Sequence, residues 1–307
     1  MPPPRGTPNV LEGPGDYTMT QKVFNDTYPF IDPTRANLTE KYVFITGASK
    51  GLGQQIAISF AKAGASHIAI GARSSLTTTS DLIKSFALAA GHPEPQILPV
   101  NLDIASRTSV SAAAETISQA FSGKLDILIN NAGMMSSNEL IGSSNPETWW
   151  DETMNIDLQG TYLMIRSFLP LLLASSTKTI INISSVGAHL VNPTLSAYQI
   201  SKLAVLRLTE FVAAEYADQG LVAIAVHPGN ILTDIVGNGE GMGEGLKAVF
   251  TETPRLCADT LVSLCKEKRE WLSGRYVNCT WDLEELVSEE KKKEIVEGDK
   301  LKVKLVV

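Results

Sequence analysis

The sequence predicts a single α/β domain in which a parallel β-sheet is covered by helices on both faces. Short apolar segments alternate with stretches of helical length between residues 42 and 278, and this alternation is typical of βαβ units. Such units build a doubly wound sheet that binds ligands at the carboxyl ends of its strands. The candidate strands are Tyr42–Thr46, His67–Gly71, Ile97–Val100, Ile127–Ile129, Thr179–Ile183, Val222–His227 and Arg275–Asn278.

The composition is that of an ordinary globular protein. The 307 residues are 44% hydrophobic and 19% charged, which allows a sizeable core. The net charge of −7 argues against binding to nucleic acid or to an anionic membrane surface. No apolar run approaches the roughly 18 residues that a transmembrane helix needs. The three cysteines are too few and too scattered for a disulfide framework or a metal site. We therefore expect free thiols, no bound metal and a cytoplasmic location.

The chain divides into four segments by composition. Residues 1–15 are rich in proline and glycine and are expected to form a flexible lead. Residues 16–40 carry apolar anchors and are expected to form an arm packed on the core. Residues 41–281 hold the alternating strands and helices. Residues 282–307 are charge-dense and predict a solvated helix, with Glu289 and Lys293 as an ion pair.

A glycine-rich turn joins the first predicted strand to the helix that follows it. It reads Thr-Gly-Ala-Ser-Lys-Gly-Leu-Gly from Thr46 to Gly53. Glycine lets the backbone approach a pyrophosphate closely, and the N-terminus of the next helix offers free N–H groups to an anion. A plain structural turn would need only one glycine. The turn therefore predicts a dinucleotide-binding site formed by Gly47, Ser49, Lys50, Gly51, Leu52 and Gly53.

A tyrosine and a lysine four residues apart, Tyr198 and Lys202, lie on one face of a predicted helix. The ammonium can stabilise the phenolate, which makes the phenol a usable proton donor near neutral pH. Ser185 follows an apolar strand and lies thirteen residues before Tyr198. A hydroxyl at a strand end, beside a polarised phenol, can stabilise a developing alkoxide. These three side chains are the candidate catalytic residues.

The glycine-rich turn, the Asn-Asn-Ala-Gly segment at Asn130–Gly133, Ser185 and the Tyr198–Lys202 pair resemble, in this order, the motifs of the short-chain dehydrogenase/reductase family. The resemblance covers roughly residues 40–280. It implies a Rossmann-type fold, a nicotinamide cofactor and hydride transfer to or from a small organic molecule. It also implies that Tyr198 donates the proton, Ser185 binds the substrate oxygen and Lys202 binds the nicotinamide ribose. We therefore expect reduction of a ketone or aldehyde, or oxidation of the alcohol.

The end of the second predicted strand favours NADP(H) over NAD(H). An NAD-selective enzyme usually has a carboxylate there, and the segment Ala69–Ser74 has none. Arg73 and Lys50 can instead converge on the 2′-phosphate of NADP, and Ser74 can add a hydroxyl donor. The resemblance implies further cofactor contacts at Asp103, Asn131, Ala132, Gly133, Tyr198, Lys202, Pro228, Gly229 and Thr233.

One position departs from the family pattern. Many members carry an asparagine three residues before a glycine in the long helix after the Asn-Asn-Ala-Gly segment, and Gly160 places Asp157 there. Asn155 lies on nearly the opposite face of a regular helix, so it could substitute only if the helix were distorted. In the family, this asparagine orders a water that relays protons to the lysine. A carboxylate can accept from that water but cannot donate. We therefore expect a competent site with an altered pH dependence, and loss of hydride transfer is the alternative.

The segments that follow the fifth and sixth strands are expected to set substrate specificity. Residues 189–195 form the first segment, in which His189 is either a plain loop residue, the preferred interpretation, or a second acid–base group. The second, residues 234–250, has glycine at every second position from 237 to 245 and is interpreted as either a mobile lid or a loop without function. Met134 and Met135 offer an adaptable apolar wall. Together these segments predict a mid-sized, mostly apolar ketone or its alcohol.

Three classes of function fit the sequence. The intact Ser185, Tyr198 and Lys202 favour a carbonyl reductase. Asp157 keeps open a non-redox isomerase or cyclase in the same pocket, or a cofactor-sensing binding protein. The segments Tyr28–Phe30 and Trp271–Arg275 resemble fungal members of the family, some of which serve secondary metabolism.

Self-association is also expected. Two long helices, predicted at residues 148–176 and 197–217, carry more apolar positions than one sheet face needs. A homodimer or homotetramer follows from this excess.

Overall fold

The computed structural model describes residues 9–135 and 138–305, in which seven parallel strands form one sheet in the order β3-β2-β1-β4-β5-β6-β7. This arrangement confirms the predicted doubly wound α/β fold. Every predicted strand is present, and three of them extend by one residue at one or both ends. The strands are β1 Tyr42–Thr46, β2 His67–Ala72, β3 Gln96–Asn101, β4 Ile127–Asn130, β5 Thr179–Ile183, β6 Val222–His227 and β7 Arg275–Asn278.

Helices cover both faces of the sheet. Helices α1, α2 and α7 lie on one face, and α3, α4 and α5 lie on the other. None of the helices in the described residues is long and apolar enough to cross a bilayer. The helices are α1 Gly51–Lys62, α2 Thr77–Ala89, α3 Arg107–Ala120, a π-helix Glu147–Gly160, α4 Thr161–Leu173, α5 Ser196–Glu215, α6 Glu244–Lys247, α7 Pro254–Cys265, α8 Leu283–Leu286 and α9 Glu289–Glu297.

The two core layers follow from the alternation of side chains along each strand. In β1, Val43 and Ile45 pack into the layer with α1 and α7, whereas Phe44 between them packs into the layer with α3 and α4. All three side chains are fully buried, and burial of each contributes about 1.5–3 kcal/mol. The three cysteines are buried free thiols, as expected.

The long helix predicted at residues 148–176 is two helices in the structure. Residues Glu147–Gly160 form a π-helix, and Thr161–Leu173 continue as a regular α-helix. Thr153 Oγ1 donates to the Thr148 carbonyl at 3.0 Å, a bond to a backbone group five residues earlier. A π-helix closes its hydrogen bonds over five residues instead of four, which the spacing of apolar residues does not reveal. The second predicted helix, 197–217, is present as α5.

The N-terminal arm lies against β7 and α7. Val23 forms an antiparallel bridge with Trp281, and Phe24 N donates to the Thr280 carbonyl at 2.7 Å. Thr27 Oγ1 donates to Asp259 on α7 at 2.6 Å. Farther along the arm, Ile31 and Leu38 are buried in the core layer that contains α1.

The start of the chain also contacts the core. Trp281 Nε1 donates to the Gly15 carbonyl at 3.2 Å, and Asn278 Nδ2 donates to Asp16 at 3.0 Å. The end of the segment expected to be a flexible lead therefore contacts the core, because the Gly15 carbonyl and Asp16 find donors at Trp281 and Asn278. Residues 1–8 lie outside the described residues.

The C-terminal segment packs through one apolar side of α9. Ile295 is fully buried in the core layer of α1 and α7. The predicted pair of Glu289 with Lys293 is not formed: Glu289 contacts Lys292 at 3.4 Å, and Lys293 contacts Glu297 at 3.9 Å. Both kinds of spacing bring side chains together on a helix surface, so the sequence did not distinguish between them.

The glycine-rich turn between β1 and α1 has no room for side chains at two positions. A Cβ atom on Gly47 would lie 2.9 Å from Ala132 Cα, and Gly47 also has a positive φ of 66°. A Cβ atom on Gly53 would lie 2.2 Å from the Gly47 carbonyl oxygen and 2.6 Å from Asn131 Nδ2. Glycine is therefore required here because the turn is pressed against the segment that follows β4.

We predict that Gly53→Ala destabilises the protein by about 1–3 kcal/mol, because the added methyl group overlaps backbone and must displace the turn. Urea denaturation measures this loss. Gly142→Ala is the matched control, because a Cβ atom there meets nothing within 4 Å, and its effect should stay within about 0.5 kcal/mol. Equal stability of the two variants would contradict the prediction.

Candidate active site

A cleft of about 980 Å³ opens at the carboxyl ends of the central strands. It runs from the glycine-rich turn after β1 to the segments that follow β5 and β6. Its volume lies at the upper end of the range for ligand pockets, as a dinucleotide together with a substrate would need. Every residue predicted to bind the cofactor lines this cleft, together with Ser185, Tyr198 and Lys202, whereas Asp157 is buried beneath its floor.

The glycine-rich turn presents backbone donors to the cleft. Helix α1 begins at Gly51, and the residue before it, Lys50, makes no side-chain hydrogen bond to the first turn. The N–H groups of this turn are therefore not occupied by a capping side chain, and a phosphate can bind to them. Asn131 Nδ2 donates to the carbonyls of Thr46 and Gly47 at 2.9 and 3.3 Å. Asn131 thus fixes the turn against the end of β4, and the residues fit a dinucleotide.

The outer end of the cleft carries the two cations predicted from the sequence. Arg73 is exposed after β2 and, among the described residues, makes no ion pair. Lys50 contacts the carboxylate of Asp234, in the segment after β6, at 2.5 Å. The Lys50 side chain and the Asn238 amide lower the pKa of Asp234, whose side chain is 46% exposed. The mouth of the cleft is therefore spanned by one exposed ion pair, which the sequence analysis did not anticipate.

Ser185 and Tyr198 face each other across Gly187. Ser185 Oγ accepts a hydrogen bond from Gly187 N at 3.0 Å, which leaves its own proton free to bind a substrate oxygen. A Cβ atom on Gly187 would lie 3.2 Å from Ser185 Oγ and 3.6 Å from Tyr198 Cε1. Ser184 instead points into the protein, where its hydroxyl donates to the Lys202 carbonyl at 3.1 Å. The thirteen-residue spacing therefore selects the serine that lies beside the tyrosine.

Asp157 forms the buried floor beneath the lysine. Its Oδ2 atom lies 3.4 Å from Lys202 Nζ and 2.9 Å from Ser201 Oγ. Its Oδ1 atom accepts from Met134 N at 2.9 Å. All three partners can donate, so an acceptor-only carboxylate satisfies each of them. Asp157 thereby ties the π-helix to α5 and to the segment after Gly133.

Lys202 is buried and charged. Burial by itself lowers the pKa of Lys202, but the carboxylate of Asp157 and the side chain of Tyr198 more than offset burial and raise that pKa above its usual range. The ammonium lies 5.5 Å from the centre of the Tyr198 ring, and its Nζ also contacts the Ile183 carbonyl at 3.5 Å. The lysine therefore carries a fixed positive charge next to the phenol.

The π-helix does not bring Asn155 into the site. Asn155 Oδ1 accepts instead from Gln159 on the same helix, and neither residue lines the cleft. Asp157 therefore occupies the position that the spacing from Gly160 predicts.

Several residues at the substrate end of the cleft were not singled out from the sequence. Ile156 directly precedes Asp157, and Gln199 directly follows Tyr198. Both could have been found from these neighbours in the sequence. Asn230 directly follows the predicted cofactor contact Gly229, whereas Leu11 and Glu152 gave no local signal, since their sequence neighbours show no motif. All five line the cleft, as do the predicted Met134 and Met135.

His189 lies away from this cleft. Its ring packs edge-on against Tyr276, with the ring centres 4.7 Å apart, and burial lowers its pKa. A structural role therefore describes this histidine better than an acid–base role.

Comparison with known proteins agrees with the fold and with the motifs. Residues 41–241 match the family model for short chain dehydrogenases. The chain is 52% identical over 306 residues to the short chain dehydrogenase pigC of Monascus ruber, and the match covers 100% of both chains.

Solved structures share the fold at low sequence identity. Carveol dehydrogenase from Mycobacterium avium, in complex with NAD, superposes with a TM-score of 0.71 at 20% identity, over 79% of this chain and 97% of that one. A short chain dehydrogenase from Shigella flexneri complexed with NADP gives a TM-score of 0.68 at 22% identity, over 80% and 99%. A family model matches most of the chain, and a relative is 52% identical over its full length. This protein therefore belongs to the short-chain dehydrogenase/reductase family.

Proposed function

We propose that the protein is an NADPH-dependent oxidoreductase that reduces the carbonyl group of a small or mid-sized, mostly apolar organic molecule. The observation that carries the proposal is the convergence of Ser185, Tyr198 and Lys202 in one cleft with a glycine-rich turn. The same groups can run the reaction in reverse as an alcohol oxidation.

Each side chain has a distinct task in the proposed reaction. When bound, the nicotinamide supplies the hydride. The Ser185 hydroxyl donates a hydrogen bond to the substrate oxygen and orients it. The Tyr198 phenol donates the proton as negative charge develops on that oxygen. The ammonium of Lys202 favours release of that proton, and it is positioned to bind ribose hydroxyls. Lys202 is kept charged by Asp157, which is a positioning residue because it acts through the lysine.

Charge supports the choice of NADPH. The fold does not decide between the two cofactors, because the similar structures hold NAD in one case and NADP in another. In this chain, Arg73 follows β2, where a carboxylate would favour NAD, and no acidic residue lies between Ala69 and Ser74. An exposed guanidinium without an ion-pair partner in the described residues is suited to a bidentate contact with a phosphate.

We predict that Arg73→Ser weakens NADPH binding by about 10-fold or more, because a charge-assisted contact with the 2′-phosphate is lost. NADH binding should change less than 2-fold. Fluorescence titration of both reduced cofactors measures the two affinities. Arg107→Ser makes the same chemical change at an exposed arginine outside the cleft and serves as the control. Wild-type protein that binds NADH as tightly as NADPH would refute the preference.

The reaction is tested by NADPH oxidation over a panel of neutral ketones and quinones. We predict that Tyr198→Phe lowers kcat by at least about 100-fold, because the proton donor is removed. Tyr162→Phe, at an exposed tyrosine on α4, should retain wild-type turnover. Cofactor that binds but is never consumed would contradict the reductase and favour the non-redox alternative.

The role of Asp157 is tested by Asp157→Asn, which keeps the side-chain shape. Without the carboxylate, the pKa of Lys202 falls, because Asp157 raises that pKa against the effect of burial, and the ammonium loses its proton at lower pH. The proposed reduction uses the charged ammonium to favour proton release from Tyr198. The alkaline limb of the pH–rate profile should therefore move to lower pH.

Identical pH–rate profiles for wild type and Asp157→Asn would refute this role. Turnover by the asparagine variant alone would mean that Asp157 suppresses hydride transfer, and the reductase proposal for the wild type would fail.

We further propose that the protein forms a homodimer or homotetramer through α5. Ile200, Leu203 and Phe211 lie along this helix with exposed fractions of 45%, 39% and 58%. Tyr162 on the neighbouring α4 is also exposed. A run of exposed large apolar side chains on adjacent helices is typical of a contact between subunits.

We predict that Phe211→Asp shifts the protein toward the monomer, because a buried carboxylate in an apolar contact is costly. Light scattering coupled to size-exclusion chromatography measures the mass. Phe86→Asp makes the same change at an exposed phenylalanine on α2 and should leave the mass unchanged. A monomeric wild type would contradict the proposal.

A further inference from the structure

The start of the chain reaches the catalytic cleft. Leu11 lines it, although it lies about 30 residues before the matched family region begins at residue 41. We define residues 9–16 as the N-terminal wall. Its position differs from that of the rest of the arm, residues 17–40, which packs on α7 and β7 away from the cleft.

The wall packs directly on the residue that follows the catalytic serine. Gly13 is buried, and a Cβ atom there would lie 2.4 Å from Val186 Cγ2. Val186 lines the cleft, and it lies between Ser185 and Gly187, whose N–H group binds the serine oxygen. The wall therefore lies at the substrate end of the cleft rather than at the phosphate-binding turn.

Hydrogen bonds connect the wall to the helix that carries Tyr198. The Val10 carbonyl accepts from Asn192 Nδ2 at 3.1 Å. The Asn192 amide oxygen accepts from Gln199 Nε2 at 2.7 Å, and Asn192 N donates to Gln199 Oε1 at 2.9 Å. Gln199 is buried next to Tyr198 and also lines the cleft. The wall is thus fixed relative to the proton donor.

The other end of the wall is fixed by Asp16. Its Oδ2 atom accepts from Gly13 N at 2.7 Å, and its Oδ1 atom accepts from Asn278 Nδ2 at 3.0 Å. These bonds close a turn from Gly13 to Asp16 and anchor it to the last residue of β7. With anchors at Val10 and at Asp16, the half-buried Leu11 side chain between them is held in the cleft.

Leu11 shares the cleft lining with several apolar side chains. They include Val186, against which Gly13 packs, and Met134, Leu195 and Phe250. Glu152, an exposed carboxylate for which the described residues provide no ion-pair partner, also lines the cleft. A carboxylate or phosphate on the substrate would be repelled there, whereas an uncharged apolar group gains from burial.

We propose that the N-terminal wall completes the substrate pocket and that Leu11 is a specificity-determining residue that contacts an uncharged, apolar part of the substrate. The identity of the ligand as a ketone rests on the proposed function. The location of Leu11 in the pocket does not depend on the proposed function.

The first test compares Leu11→Ala with Val10→Ala on para-alkyl acetophenones of increasing length. Val10 is the matched control because its side chain is 66% exposed and its backbone carbonyl is retained. Leu11→Ala should raise KM for the shortest ketone by about 10-fold, as expected for lost apolar contact, and should move the preference toward longer chains. The affinity for NADPH should stay within about 2-fold of wild type. An unchanged ranking of substrates, or the same change in both variants, would overturn the proposal.

The second test does not need turnover. Nile red, an uncharged apolar dye, is titrated into the NADPH-bound protein, and Leu11→Arg is compared with Val10→Arg. The arginine at position 11 should weaken dye binding by at least about 10-fold, because it places a charge in an apolar pocket. The arginine at position 10 should leave dye binding unchanged.

Thermal melting separates these effects from misfolding, because both substitutions in a pair should melt within a few degrees of wild type. If the wild type reduces no ketone, the proposed function fails, and the dye titration alone decides the role of Leu11. Equal dye binding by Leu11→Arg and the wild type would refute the proposal that the N-terminal wall completes the substrate pocket.

Discussion

The buried contact between Lys202 and Asp157 is the interaction on which the arrangement of the site depends. An ammonium cannot remain charged in a protein interior without compensation, because its removal from water costs several kcal/mol. Asp157 provides that compensation at 3.4 Å. The contact also joins three separate parts of the chain, namely the π-helix, α5 and the backbone after Gly133. Removing the lysine would leave a buried carboxylate, which is more costly than losing one hydrogen bond.

Close backbone packing gives the other end of the cleft its shape. The sheet order places β4 next to β1, so the segments that follow the two strands leave the sheet side by side. Gly47 lies so close to the Cα atom of Ala132 that it cannot carry a side chain, and Asn131 bridges the two segments. A rigid cradle for phosphates and a charged acid–base centre are thereby held in one cleft, although they come from residues about 150 positions apart in the chain.

The sequence predicted those features that depend on local pattern. Strand positions followed from short apolar runs, and the serine, tyrosine and lysine followed from their spacing, because strand ends and helix faces place such residues reproducibly. Counting from Gly160 predicted Asp157, and the structure has its carboxylate 3.4 Å from Lys202 Nζ. The π-helix was not predicted, since its hydrogen bonding leaves no distinct spacing of apolar residues. Ser201, the partner of Asp157, and Leu11 were also missed, because their contacts arise only from the packing of distant segments.

The ion pair between Lys50 and Asp234 has a consequence for the kinetics of ligand exchange. It crosses the mouth of the cleft, but both side chains are exposed to solvent, by 69% and 46%, so water and salt can replace either partner with little change in free energy. Entry and departure of a dinucleotide therefore do not require a tightly held gate to be broken. Because the pair is screened, the rates of these steps vary with ionic strength, whereas the buried chemistry at Lys202 is shielded from added salt.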